Sequence, residues 1–281
     1  MSPIHDQSYR RYAGTRRPLG QSWQVIAGTG IRSMLSRKWF LGLLLMAWVP
    51  FIVRTVQIYV VTMYPTAGQL APVDPKMFMD FVEQQGPFLF FVTVFVGSGL
   101  IAADRRANAL QVYLSKPLLR IEYIAGKLAI LATFLAFVTI VPALLLIIMQ
   151  ISFSGSIEFL RSNLFLIPAV VLASLARVIV SSFAMLALSS LSKSTRYVAM
   201  LYAGAILFTD VIFAMLSGIT ASTRSAWISV GANLANITDV MFRQTQRYET
   251  PALVSILVLI GLVVLSISVL ERRVRGVEVV S

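Results

Sequence analysis

The chain has 281 residues, of which 57% are hydrophobic and only 13% are charged, and its mean hydropathy is +0.80. This composition predicts a membrane protein, and the net charge of +12 comes from basic residues scattered between apolar segments, which does not fit a nucleic-acid-binding stripe. The chain has no Cys, which excludes disulfides. His5 is its only histidine, so we expect neither a zinc site nor a His-based catalytic triad within this chain.

The N-terminal 38 residues contain seven Lys or Arg before any long apolar run, so we expect no cleavable signal peptide. Residues 1–20 are predicted to be a disordered basic tail. Residues 21–38 contain the apolar side chains Trp23, Ile26, Ile31, Met34 and Leu35 together with the basic residues Arg32, Arg37 and Lys38. This pattern predicts an amphipathic helix at the membrane interface that leads into the first span.

Six windows are long and apolar enough to cross a bilayer as helices, which predicts an all-α polytopic protein with a membrane domain at 39–270 and a short tail at 271–281. The windows are residues 39–61, 87–103, 128–151, 164–191, 198–216 and 251–270. An even number of spans places both termini on one side. With the termini inside, the inner segments hold 17 Lys or Arg and the outer loops hold five, which predicts a plasma (inner) membrane protein with cytoplasmic termini.

The two long outer loops differ in their residue patterns. Residues 62–86 contain three prolines, which favour an extended, turn-rich connection. In residues 217–250, apolar side chains recur at helical spacing and predict a short amphipathic helix lying at the outer surface. These side chains are Leu234, Ile237, Val240 and Met241.

Three charged residues, Arg54, Arg177 and Asp210, fall within the apolar windows, where an unpaired charge costs about 2.5 kcal/mol or more. Counted from the outer ends of their spans, Arg54 and Asp210 lie at similar depths in the membrane, which suggests an ion pair between the first and fifth spans. Arg177 lies near the middle of its span and is predicted to face a polar cavity. The alternative is that Arg54 extends outward to the headgroups and that any pair only fixes helix packing. The fourth span carries Ser174, Ser181, Ser182 and Ser189, a pattern that is more typical of close helix packing than of a translocation path.

The inner segment 103–128 predicts a helix, a turn and a second helix. Apolar side chains recur every three or four residues, so a helix over about 105–114 has an apolar face. The apolar positions are Leu110, Tyr113, Leu114, Leu118 and Ile121. Ser115, Lys116 and Pro117 then end the first helix, because Pro117 lacks an amide donor and disfavours helix at Lys116. Membrane surface or a partner protein would cover this apolar face.

Motifs for chemistry within the chain are missing. The only Gly-Lys, at Gly126 and Lys127, lacks the preceding glycine of a phosphate-binding loop, and neither H-E-x-x-H nor G-x-S-x-G occurs. We therefore expect a protein that is not an enzyme and that holds no cofactor itself.

The run "GLIAADRRANALQVYLSKPLLRIEYIAGKL" resembles the inner loop of ABC-2 type transporter permeases. In that family a Glu closes the second span, a "GTLE-x-LLS-x-P-x-x-R" stretch follows, and a Gly-Lys opens the third span. The matching positions here are Asp104, Leu110, Leu114, Ser115, Pro117, Arg120, Gly126 and Lys127, and the departures are Asn108, Ala109 and Gln111. Six spans and the helices predicted at 21–38 and in the last outer loop also fit the family.

The resemblance implies a permease subunit of an ATP-binding cassette exporter, working as a homodimer or with a homologous second permease. ATP and Mg²⁺ would bind a separate nucleotide-binding subunit. Segment 104–116 would be the coupling helix that contacts this subunit, with apolar anchors, a basic rim and flanking residues. These contact residues are Asp104, Arg105, Arg106, Leu110, Tyr113, Leu114, Ser115 and Pro117.

Two other functions remain open on the sequence. The chain could be a membrane assembly or scaffold protein that docks a cytoplasmic partner without ATP hydrolysis. An ion-coupled secondary carrier is less favoured, because Asp210 is the only acidic residue well inside a window that could serve as a proton site.

Overall fold

The computed structural model describes residues 20–64, 72–109 and 119–274, and these residues form helices and no strand. Six helical segments are long and apolar enough to cross a membrane, as the sequence predicts. The spans are Lys38–Met63, Pro75–Arg106, Arg120–Ser154, Leu166–Leu191, Thr195–Thr220 and Ala252–Arg273. If all six segments cross the bilayer, Lys38 at the start of the first span and Arg273 at the end of the sixth lie on the same side, here called the N-terminal side; the other is the opposite side.

The first three spans are each divided into shorter helices, whereas the fourth, fifth and sixth spans are single helices. In chain order the helices are α1 (Ser22–Leu35), α2 (Lys38–Ala47), α3 (Val49–Met63), α4 (Pro75–Gln84), α5 (Gly86–Val92), α6 (Ala102–Arg106), α7 (Arg120–Val138), α8 (Ile140–Ser154), α9 (Glu158–Ser162), α10 (Leu166–Leu191), α11 (Thr195–Thr220), α12 (Val230–Met241) and α13 (Ala252–Arg273). A 3₁₀ turn, Arg224–Ile228, precedes α12.

The breaks have local causes. The first span is interrupted at Trp48 and the third at Thr139, shortly before Pro50 and Pro142. A proline ring clashes with the carbonyl four residues earlier, so a helix bends or restarts just before it. In the second span a π-helical turn, Thr93–Gly97, follows α5. A π-helical turn holds more residues than an α-helical turn, so the side chains after it point in a different direction about the helix axis than an unbroken α-helix would give.

The second span begins at Pro75, well before the predicted start at 87. Pro75 occupies the first turn of α4, where a missing N–H costs nothing, and the Asp74 side chain accepts a hydrogen bond from the Met77 N–H at 2.9 Å. The prediction of an extended connection over 62–86 is therefore wrong for residues 75–84, which form α4. Residues 65–71 lie outside the described part of the chain.

The second, third and fourth spans form the centre of the molecule. Between 50% and 61% of their apolar windows is buried, compared with 11% to 22% for the first, fifth and sixth spans. The peripheral spans consequently expose apolar faces that lipid hydrocarbon or another membrane subunit would cover.

Helix α1 packs closely against the third span. A Cβ atom on Gly126 would lie 2.8 Å from the Ile26 side chain and 3.1 Å from the Trp23 carbonyl oxygen. Only glycine allows this approach of the two helices. The Glu122 carboxylate also accepts hydrogen bonds from the backbone N–H groups of Ser22 and Leu119, at 3.4 and 3.2 Å. The helix predicted at 21–38 thus exists, and it is joined to the start of the third span.

Helix α12 confirms the helix predicted in the last long loop, but its orientation differs from the prediction. Its buried side chains are mainly polar, and Val240 is exposed. The buried polar residues are Asn233, Asn236, Thr238 and Asp239. A helix that lies on the membrane surface would bury its apolar side in lipid and expose its polar side to water. Helix α12 instead packs into the protein, where hydrogen bonds from Asn236 to the Thr250 carbonyl and Ser255 hydroxyl hold it at 2.8 and 3.0 Å.

Candidate functional site

An ion pair joins the two ends of the segment between the second and third spans. The Lys127 ammonium lies 2.7 Å from a carboxylate oxygen of Asp104, and the Tyr123 hydroxyl donates to the same oxygen at 2.7 Å. The Lys127 and Asp104 side chains are only 13% and 18% exposed. Limited exposure reduces screening by water, so this pair is stronger than an ordinary surface salt bridge. The ends of the second and third spans are therefore held together on the N-terminal side.

The fourth span is tied to the same end of the second span. The buried Ser189 hydroxyl accepts hydrogen bonds from the N–H groups of Ile101 and Ala102, at 3.1 and 3.0 Å, and donates to the Ser98 carbonyl at 3.0 Å. These backbone groups lie where the second span leaves its helical path, so they lack ordinary helical partners. The Arg105 guanidinium also donates to the Ser190 carbonyl. The prediction of close helix packing is confirmed for Ser189, whereas Ser181 lines the cavity described below.

The residues predicted to contact a partner subunit divide into two groups. Asp104 and Arg105 make the contacts described above, and Arg106 is exposed. The chain turns after α6 at Asn108, whose φ of 53° lies in the left-handed region that asparagine tolerates. The remaining predicted contacts, Leu110, Tyr113, Leu114, Ser115 and Pro117, lie outside the described residues, so their roles stay predictions.

Arg54 and Asp210 do not form the predicted ion pair. Arg54 donates to the side-chain oxygens of Gln84 and Gln57, at 3.2 and 2.8 Å, whereas Asp210 accepts a 2.5 Å hydrogen bond from the Ser229 hydroxyl. The early start of the second span explains the difference, because α4 brings Gln84 beside Arg54. Two amide oxygens thus compensate the guanidinium, as an internal polar group requires.

Arg177 lies at one end of an open cavity of about 440 Å³ that is lined by parts of the second, fourth, fifth and sixth spans and by α12. Its guanidinium donates to the Ala173 carbonyl and the Thr238 hydroxyl, at 3.0 and 2.9 Å. Arg177 faces a cavity, as predicted. The prediction that this cavity is polar is wrong, because its lining is mostly apolar. From Arg177 to Leu188, both in the lining, α10 rises about 16 Å at 1.5 Å per residue. The cavity is therefore elongated along the spans.

Three charged side chains form a partly buried ionic cluster on the opposite side. The Arg247 guanidinium bonds both carboxylate oxygens of Glu83, at 3.0 and 2.6 Å, and also those of Asp239, at distances from 2.6 to 3.1 Å. The Asp239 side chain is 1% exposed, and the Glu83 and Arg247 side chains are 27% and 33% exposed. Hydrogen bonding to Asp239 is the main cause that raises the pKa of Arg247 above its ordinary value, with a further contribution from Glu83. The cluster joins α4, α12 and the loop before the sixth span.

The cluster was not predicted from the sequence, because its three members are far apart in the chain. One signal was present: Asn233, Asn236 and Asp239 recur every three residues and form a polar stripe on α12. A polar stripe on a helix at membrane depth indicates that this side faces protein. Within the described residues, no three His, Cys, Asp or Glu side chains come together as metal ligands would.

Comparison of the sequence with models of known protein families and with curated proteins returned no significant match. The arguments for function therefore come from the residues and contacts of this chain.

Proposed function

We propose that this membrane protein is the permease subunit of an ATP-binding cassette exporter, with ATP hydrolysed by a separate nucleotide-binding subunit in the cytoplasm. The observation that carries the proposal is the way the segment between the second and third spans is fixed at both ends. This segment has the sequence that resembles the coupling loop of ABC-2 permeases, and it begins and ends at the Asp104–Lys127 ion pair.

The contacts around this pair would let the segment act as a rigid coupling element. Asp104 and Lys127 join the second and third spans, Ser189 and Arg105 join the second and fourth spans, and α1 packs at Gly126. A push on the segment from a partner would thus move three spans and α1 together instead of deforming a loose loop. Coupling requires such an element, one with two positions that both the ATPase and the transport pathway can bias.

The peripheral spans are consistent with a second permease subunit. The first, fifth and sixth spans bury little of their apolar surface within one chain. A homodimer or a heterodimer with a second permease would cover part of this surface, and lipid would cover the rest.

Purification of the tagged full-length chain from the membranes of its native cell tests the proposal. We expect a protein with a phosphate-binding loop to co-purify and the complex to hydrolyse ATP. Leu110→Asp and Tyr113→Asp should abolish recovery of this protein, because they place a charge on the predicted apolar contact face. Ile157→Asp, at an exposed apolar position on the opposite side, is the control and should leave recovery unchanged.

Two outcomes would contradict the proposal. If Leu110→Asp and Tyr113→Asp recover as much ATPase as the wild type does, the segment is not the coupling element. If the recovered partner carries no phosphate-binding loop and the complex hydrolyses no ATP, the assembly or scaffold function is favoured instead.

A further inference from the structure

Arg177 is a buried cation that uses only one of its guanidinium nitrogens in hydrogen bonds to the protein. The residue is 6% exposed, and its Nη1 atom donates to the Ala173 carbonyl and the Thr238 hydroxyl, which are both neutral groups. A guanidinium has five N–H donors, so the three on Nε and Nη2 have no acceptor among the residues that the structure describes. In the same part of the chain, Arg177 forms no ion pair. A buried guanidinium in this state is costly unless acceptors and a negative charge come from elsewhere.

The free edge of this guanidinium, formed by Nε and Nη2, is reached from the cavity. Arg177 is part of the cavity lining, and neither nitrogen is sealed from solvent. Nε and Nη2 lie side by side on the planar group, an arrangement that binds the two oxygens of an oxyanion in parallel. Because Ala173 and Thr238 hold the Nη1 atom, the orientation of the free edge is set before a ligand arrives.

Two carboxylates near the cavity are already bonded to other groups. Glu83 is also in the lining, but both of its oxygens bond the Arg247 guanidinium, at 3.0 and 2.6 Å. Asp210 accepts a hydrogen bond from Ser229, which is nine residues before Thr238 and thus about 13 Å away along α12. Neither carboxylate supplies an acceptor to the free edge. Selection at this site therefore depends on direct contact with the edge and not on the sum of surrounding charges.

The rest of the lining is suited to an apolar body. From Arg177 the cavity extends about 16 Å along α10, past Ala184, to Leu188. Phe90 and Tyr202 also line it and stack on each other, with ring centroids 5.8 Å apart. The volume of about 440 Å³ lies within the range of small-molecule sites. A ligand with one polar head and a long apolar part fits this lining.

A carboxylate matches the free edge better than a phosphate does. It carries one negative charge and has two oxygens in one plane, which match the single charge and the paired donors of Arg177. A phosphate monoester carries a charge of about −1.5 to −2 near neutral pH. Within the described lining, Arg177 is the single cation, so the additional charge of a phosphate would stay unpaired.

We propose that this cavity binds an amphipathic carboxylate, with its head bonded to Nε and Nη2 of Arg177 and its apolar part held by the aromatic and aliphatic lining. Under the permease function proposed above, on which this assignment of cargo rests, such a carboxylate would be the exported compound. Thr238 would act as a positioning residue, since its hydroxyl fixes the guanidinium.

Binding of dodecanoate to the full-length protein tests the inference, and the measurement needs no ATPase. The protein is placed in nanodiscs of zwitterionic lipid, and radiolabelled dodecanoate is titrated against protein-free nanodiscs at a pH where it is ionised in both. We expect saturable binding of about one dodecanoate per chain. Dodecanol and dodecylammonium have the same alkyl chain with a neutral or a cationic head, and they should show no saturable binding above the lipid background.

Three variants locate the site. Arg177→Gln removes the charge and the paired donors, and we expect it to weaken dodecanoate binding about tenfold or more, as the loss of a charged hydrogen bond predicts. Ala184→Phe leaves every charge in place but fills the cavity between Arg177 and Leu188, and it should abolish saturable binding. Arg161→Gln removes the same charge from an exposed position on α9 and should bind as the wild type does.

The inference is overturned if the wild type binds dodecanoate no better than it binds dodecanol, or if Arg177→Gln binds as well as Arg161→Gln does. Preferential binding of dodecylammonium would overturn it too, since Glu83 or Asp210 would then decide the charge of the ligand. Should Arg177→Gln fail to fold, unchanged binding by Ala184→Phe would refute the site equally. Because binding is measured without a partner, dodecanoate binding in a protein that recruits no ATPase would refute the permease function alone. Recruitment of an ATPase without dodecanoate binding would refute the cargo alone.

Discussion

Replacement of Arg247 by glutamine should destabilise the protein by more than any exposed ion pair could account for. Arg247 alone bridges Asp239 and Glu83, so its loss leaves the Asp239 carboxylate buried with no cation bonded to it. Removal of one partner from a buried pair costs about 3–5 kcal/mol. Since Arg247 is 33% exposed, water compensates part of this cost, and we expect about 2–3 kcal/mol.

Thermal unfolding in a fixed detergent, followed by tryptophan fluorescence, measures the effect. At about 2–4 °C per kcal/mol for a chain of this size, Tm should fall by roughly 5–10 °C. The matched control is Arg224→Gln, since Arg224 and Glu249 form an exposed pair at 3.4 Å that should contribute about 1 kcal/mol or less.

A double variant separates the ionic explanation from simple loss of packing. Asp239→Asn added to Arg247→Gln removes the uncompensated carboxylate and should restore about 1 kcal/mol or more relative to Arg247→Gln alone. The reasoning is refuted if Arg247→Gln lowers Tm no more than Arg224→Gln does. It is equally refuted if the double variant is less stable than Arg247→Gln by the full cost of Asp239→Asn measured alone.

Three further predictions concern other contacts. Gly126→Ala should lower unfolding stability by about 1–3 kcal/mol because the new methyl group forces α1 away from the third span, whereas Gly204→Ala, with no atom within 4 Å of the added Cβ, should be neutral or slightly stabilising. Ser189→Ala should lower the unfolding stability by about 2–3 kcal/mol in the same assay, because it leaves buried backbone N–H groups without a hydrogen-bond acceptor. Ser152→Ala, at an exposed position, should leave the stability nearly unchanged. Burial raises the pKa of Tyr248, so the folded state holds the phenolic proton more tightly than the unfolded state does. The contribution of Tyr248 to stability should be unaffected below about pH 10 and should fall at higher pH, and Tyr248→Phe should make the alkaline loss of stability smaller without changing stability near neutral pH.

The number, approximate position and helical nature of the spans could be read from the sequence. Membrane insertion depends on the local run of apolar side chains, and a helix satisfies its own backbone hydrogen bonds. The same local logic predicted α1 and α12. It failed at Pro75, where proline in a helix's first turn and proline in an extended loop look alike unless the Asp74 cap is recognised.

The partners of the charged residues were decided by the tertiary structure. Sequence placed Arg54 and Asp210 at matching depths, yet depth gives neither the rotation of a helix about its axis nor the neighbour it meets. Once α4 extends the second span, Gln84 contacts Arg54, and Asp210 accepts a hydrogen bond from Ser229. A change of one helical turn or of about 100° in rotation would have replaced either contact.

For the candidate site, the sequence by itself predicts a basic segment with a helix, a turn and a second helix after the second span, and it shows Asp104 and Lys127 near the two ends of this segment. Only the tertiary structure decided that these two charges pair, that Ser189 binds the end of the second span, and that Arg247 joins two carboxylates from distant parts of the chain. The physical reason is the distance over which each interaction acts. Helix formation and membrane insertion are set by neighbours along the chain, whereas ion pairs and hydrogen bonds form within about 3–4 Å between residues that only folding brings together.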